Sequence, residues 1–99
     1  MRKILLVEDN EMIVKGLKYL LEQEKFDIKI AKNIVEAKTM IKKQEFDLYL
    51  LDITLPDGDG YEICQYVKNQ KDVPVIFLTA KDEELNVVQG LDMGADDYI

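Results

Sequence analysis

Glu8, Asp9, Asp52 and Thr79 are the residues whose types and positions could do chemistry. Each stands at the end of an unbroken apolar run of strand length. Ile4-Leu5-Leu6-Val7 leads into Glu8-Asp9, Leu48-Tyr49-Leu50-Leu51 into Asp52, and Val75-Ile76-Phe77-Leu78 into Thr79. Carboxylates gathered at neighbouring strand ends repel one another unless a cation sits between them. Hard oxygen ligands with positions left for water describe a Mg²⁺ site. A metal-bound carboxylate can attack phosphorus to form an aspartyl-phosphate, while the cation neutralises charge on the phosphoryl oxygens and a hydroxyl such as that of Thr79 donates to one of them. Asp52 is the expected nucleophile, because Glu8 and Asp9 are adjacent on one loop and better placed to hold metal. Taken alone, each acid could be no more than a turn or helix cap; it is their convergence that argues for a site.

The elements that must position these groups alternate along the chain. The first apolar run is a strand covered on both faces. After it, Ile13, Leu17, Leu20 and Leu21 recur at helical spacing and predict an amphipathic helix over residues 11–24, started by an Asn or Asp cap. Ile28 and Ile30 alternate with Asp27 and Lys29, which predicts a half-exposed edge strand over 27–31. Asn33 followed by Glu36 resembles a capping box that opens a second helix, with Ile34, Ala37 and Ile41 as its buried stripe. A third helix carries Tyr61, Ile63, Cys64 and Val67. A fourth, after Asp82-Glu83-Glu84, carries Leu85, Val87, Val88 and Leu91 and ends before Gly94. Tyr98-Ile99 begins a fifth strand. Such alternation specifies an α/β doubly wound parallel sheet with right-handed crossovers. Placing the doubly apolar strands centrally gives the flavodoxin-like order 2-1-3-4-5, whose switch point lies between strands one and three.

Composition narrows the function. The 99 residues suit one domain, and 47% hydrophobic with 33% charged residues is globular composition. A net charge of −7, from 13 basic and 20 acidic residues, argues against direct nucleic-acid binding. No apolar run approaches a membrane span, and the run after Met1-Arg2-Lys3 is too short for a secretion signal. One cysteine, Cys64, excludes an internal disulfide and suits a reducing, cytoplasmic setting, with the thiol as a small core residue. The absence of histidine removes His-dependent triads, His metal ligands and a phosphohistidine within the chain. Asp57-Gly58-Asp59-Gly60 superficially suggests a calcium-binding EF-hand loop, but aligning Gly60 with the required glycine puts Leu55 and Tyr66 where acids are needed. The run is a glycine-rich turn into the third helix.

Four segments, Ile4 to Asp9, Asp47 to Gly60, Pro74 to Ala80 and Gly94 to Ile99, together resemble the receiver domain of two-component response regulators. The resemblance spans the whole chain. It implies that Asp52 accepts a phosphoryl group from a phosphohistidine on a sensor histidine kinase. It further implies that Asp9, Asp52 and the backbone carbonyl of Thr54 bind Mg²⁺ with Glu8 acting through water, and that Thr79 and Tyr98 form the switch pair. The Ala95-Asp96-Asp97-Tyr98-Ile99 ending is most similar to the OmpR-type winged-helix transcription factors, whose DNA-binding domain would follow.

The family's phosphoryl-pairing lysine stands three residues beyond the switch aromatic and would fall two residues past Ile99, before a fifth helix. The expected description is therefore a C-terminally truncated receiver with one sheet face partly bare, which leaves it either less stable than a complete receiver or covering the gap by self-association. A second reading, a Mg²⁺-dependent phosphatase or phosphotransferase using the same aspartyl intermediate, needs a substrate-covering lid for which no stretch is left over. The expectation is accordingly a phosphoacceptor module and not an enzyme acting on a separate substrate.

Overall fold

The computed structural model describes residues 2–70, 72–78 and the backbone of 97–98. In chain order these form β1 (Lys3–Val7), α1 (Glu11–Gln23), β2 (Asp27–Ala31), α2 (Ile34–Lys43), β3 (Leu48–Asp52), α3 (Gly60–Lys68), β4 (Val75–Leu78) and β5 (Asp97–Tyr98). A short antiparallel ribbon, Thr54–Leu55 against Gly58–Asp59, interrupts the turn between β3 and α3, where the sequence pattern indicates only a glycine-rich turn. The five main strands are parallel and ordered β2-β1-β3-β4-β5, which is the expected doubly wound order. The fourth helix and its Gly94 cap lie outside the described residues.

The local reasons for these elements are visible at their ends. Asn10 caps α1, its side chain accepting from the Met12 and Ile13 amides at 3.0 and 3.2 Å. α1 stops in a Schellman turn: the Phe26 amide returns to the Leu21 carbonyl and Lys25 takes a left-handed φ of 66°. At α2, Asn33 accepts from the Glu36 amide at 2.8 Å as a capping box requires, but Glu36 reaches back to the Lys32 amide rather than to that of Asn33. Asp59 caps α3 through the Glu62 amide.

The two sheet faces are unequally covered. α2 and α3 share one face, where Leu5, Val7, Tyr49, Leu51, Val75 and Phe77 from the strands meet Ile34, Ala37, Ile41, Tyr61, Ile63, Cys64 and Val67. The stripes expected for these two helices are therefore the buried ones, and the Cys64 thiol is in the core. The α1 face is thinner: Ile4, Leu6, Ile28 and Leu50 are buried there, while Leu48, Ile76 and Leu78 are only partly covered. Here the expected α1 stripe needs correction. Val14, Leu17 and Leu21 face the sheet, whereas Ile13 and Leu20 are 43% and 61% exposed. The apolar arc of α1 is wider than the strip of sheet beneath it, so periodicity places its centre about one residue off. Among the described residues no helix is long and apolar enough to cross a membrane.

Candidate functional site

Strand register brings the acids together. Val7 lies opposite Leu51 in the parallel β1–β3 pair, so the next residue of each strand, Glu8 and Asp52, emerge side by side at the carboxyl edge of the sheet. The Glu8 amide donates to the Ala31 carbonyl at 3.0 Å, which extends the ladder by one residue and holds Glu8 in that position. Carboxylate oxygens of Glu8, Asp9 and Asp52 all lie within 4.8 Å of one another. The cluster sits at the switch point, where the chain leaves β1 toward one face and β3 toward the other.

The three acids differ in environment. Asp9 is exposed and Asp52 half-buried, but Glu8 is only 2% exposed. Burial raises the Glu8 carboxyl to about 7, against the pull of the Asn10 amide that donates to it at 3.0 Å and with a further push from the Asp52 charge. Asp52 is also raised, again chiefly by burial. A hydrogen bond from Glu8 and the amides of Ile53 and Thr54 favour its anion, while the Asp9 charge opposes it. Both carboxyls thus resist losing their protons, and a divalent cation would offset the same crowding of negative charge. The donor set therefore fits a hard cation: three clustered carboxylates, of which Asp9 is exposed.

The direction of the Glu8 shift carries a testable pH dependence. Because its folded value lies above 4.5, the folded state holds a proton that the unfolded chain has released. The stability contributed by neutral Glu8 is complete below about pH 4.5 and is lost as pH rises toward 7, a change on the order of 3 kcal/mol. Urea unfolding of the metal-free protein is expected to show stability falling across that window, with Glu8→Gln flattening the slope. A stability that instead climbs with pH there would contradict a buried neutral Glu8. For the same reason Mg²⁺ should bind more tightly at pH 8 than at pH 6.

The other expected site residues are placed less completely. Thr54 is exposed in the ribbon, its amide directed toward Asp52. Thr79 lies outside the described residues, as does the side chain of Tyr98, whose backbone in β5 pairs with Phe77. Gly60 reads in the sequence only as a turn glycine, yet its amide donates to the Ile53 carbonyl at 2.7 Å and its Cα packs on the Asp52 carbonyl. The sequence holds a signal for it only in the run of glycines after Asp52. Asn10, which holds Glu8, is legible there only as a helix cap.

A parallel sheet of this order, with a carboxylate cluster at its switch point, defines an α/β domain of the flavodoxin-like class. Within that class the chain belongs to the response regulator receiver domain family, whose profile matches residues 4–99. It is similar to a two-component response regulator from Clostridium difficile, with 32% identity and a TM-score of 0.94 over 100% of this chain and 82% of that one. The non-phosphorylated HemR receiver domain from Leptospira biflexa is 41% identical, with a TM-score of 0.90 over 100% and 81% of the two chains. The BeF3-activated N-terminal receiver domain of Klebsiella pneumoniae RstA is 34% identical, with a TM-score of 0.91 over 98% and 83%.

Proposed function

We propose that this receiver is a phosphorylation-dependent switch in which Asp52 takes a phosphoryl group from a phosphohistidine of a sensor histidine kinase. The observation that carries the reading is the meeting of Asp52 with Glu8 and Asp9 within 4.8 Å at the carboxyl edge of the sheet. A carboxylate oxygen of Asp52 attacks phosphorus, the bond from phosphorus to the imidazole nitrogen breaks, and its electron pair stays with the histidine. Mg²⁺, when bound, neutralises charge on the transferred group. Asp9, Asp52 and the Thr54 carbonyl would hold it, with Glu8 acting through water. Thr79 donates to a phosphoryl oxygen, and Tyr98 reports the change to the neighbouring surface. The similarity to a receiver captured with BeF3, a phosphoryl mimic, supports the same chemistry here. We assign the output to transcription, through an OmpR-type DNA-binding domain in the cytoplasm; the N-terminal place of the receiver in RstA supports that arrangement.

Incubation with acetyl phosphate and Mg²⁺ tests the reading. Incorporation of one phosphoryl group per chain is the expected result, and sustained phosphate release over many turnovers would favour a phosphatase instead. Asp9→Ala is expected to weaken Mg²⁺ binding on the order of tenfold or more, since it removes a direct ligand from a site with few protein contacts. An unchanged Mg²⁺ titration would remove Asp9 from the ligand set.

A further inference from the structure

The turn between β3 and α3 is tied to a helix that the proposed chemistry does not use. Asp57, at its tip, accepts from the Ile34 amide at 2.8 Å with one carboxylate oxygen and from the Val35 amide at 3.2 Å with the other. These are the first two amides of α2, while Asn33 accepts from the Glu36 amide at its own N-cap position. The N-terminus of α2 is thus satisfied jointly, by its own cap and by a carboxylate 23 residues away. The charge of Asp57 complements the helix dipole, and its carboxyl is held below the usual range chiefly by the Ile34 amide. Gly58 packs beside the same residue: a Cβ there would stand 2.6 Å from Ile34 Cδ1, and its φ of 149° already favours glycine.

From Asp57 the contact runs back to the site. The ribbon pairs Leu55 with Gly58 and Thr54 with Asp59, and the Gly60 amide closes it on the Ile53 carbonyl. Leu55 and Ile53 are buried, so the ribbon is anchored in the core at its base. Resting on the metal-site reading above, we propose that Asp57 is a positioning residue: by pinning this turn to α2, it sets where Thr54 presents its carbonyl beside Asp52. The role differs from ordinary capping because its consequence is felt at Thr54 and not only in α2.

The test compares Asp57→Ala and Asp57→Asn with Asn33→Ala, which weakens the same helix end without touching the turn. Mg²⁺ alone is titrated by calorimetry, and amide hydrogen exchange is followed at Gly60 in the metal-free protein. Asp57→Ala should weaken Mg²⁺ binding about tenfold, as loss of an outer support does at other metal sites, and should speed Gly60 exchange. Asp57→Asn, which keeps one acceptor oxygen, should recover most of both. Asn33→Ala should lower the melting temperature while leaving both near wild type. If Asp57→Ala instead matches Asn33→Ala in Mg²⁺ affinity and Gly60 exchange, Asp57 is a helix cap only and the proposal fails. Absence of Mg²⁺ binding by the wild-type chain would overturn the metal-site reading and, with it, the proposed role at Thr54; normal wild-type binding with an unaffected Asp57→Ala would overturn the positioning role alone.

Discussion

Asp52→Asn is expected to abolish phosphoryl incorporation from acetyl phosphate while leaving the fold in place. The amide keeps the shape of the carboxyl but lacks the anionic oxygen that must attack phosphorus. The fold should tolerate the change well. Asp52 is half-buried beside Glu8 and Asp9, and burial already disfavours its charge. Removing one of three crowded carboxylates should leave metal-free stability at pH 8 equal to or above that of wild type. Intact-mass measurement after phosphodonor treatment, paired with urea unfolding, separates the two effects. A phosphoryl adduct that persists in a folded Asp52→Asn protein would show that another residue is the acceptor.

The second large effect is expected at Gly60, and here stability is at stake. A Cβ at this position would fall deep inside the van der Waals envelope of the Asp52 carbonyl oxygen and lie 3.3 Å from Phe77 Cε1. Neither neighbour can yield easily. One is backbone in a central strand, and the other is a fully buried ring packed edge-on against Tyr61. Gly60→Ala should therefore destabilise by on the order of 3 kcal/mol or more. Gly16 provides the control. It lies within α1, and a methyl group added there would meet nothing inside 4 Å, so Gly16→Ala should stabilise by about 0.5–1 kcal/mol through helix propensity. Denaturant unfolding of the two variants under one condition checks the contrast. Similar stabilities would mean that α3 can shift away from β3 without loss.

These two residues illustrate how legibility varies along the chain. Asp52 is conspicuous because an apolar run delivers a lone acid to a turn, a pattern readable from neighbours in sequence. The importance of Gly60 depends on which atom its Cα touches, and that atom belongs to a strand eight residues earlier. The same division separates the helices. α2 and α3 bury the residues their periodicity selects, because strands and helix press on them from one side. On α1 the apolar arc extends past the sheet, so periodicity alone could not say that Val14 faces inward while Leu20 faces solvent.

The sequence by itself determined the alternation of elements, the doubly wound sheet and the arrival of Glu8, Asp9 and Asp52 at one edge. Each follows from side-chain period and from the chirality of parallel crossovers, which are local or nearly universal constraints. Only the tertiary structure decided that Glu8 is the buried member of the trio, its carboxyl pushed up by that burial, because desolvation depends on everything packed around a group. It alone decided, too, that Asp57 closes the end of α2, since a hydrogen bond across 23 residues leaves no periodic trace in the chain.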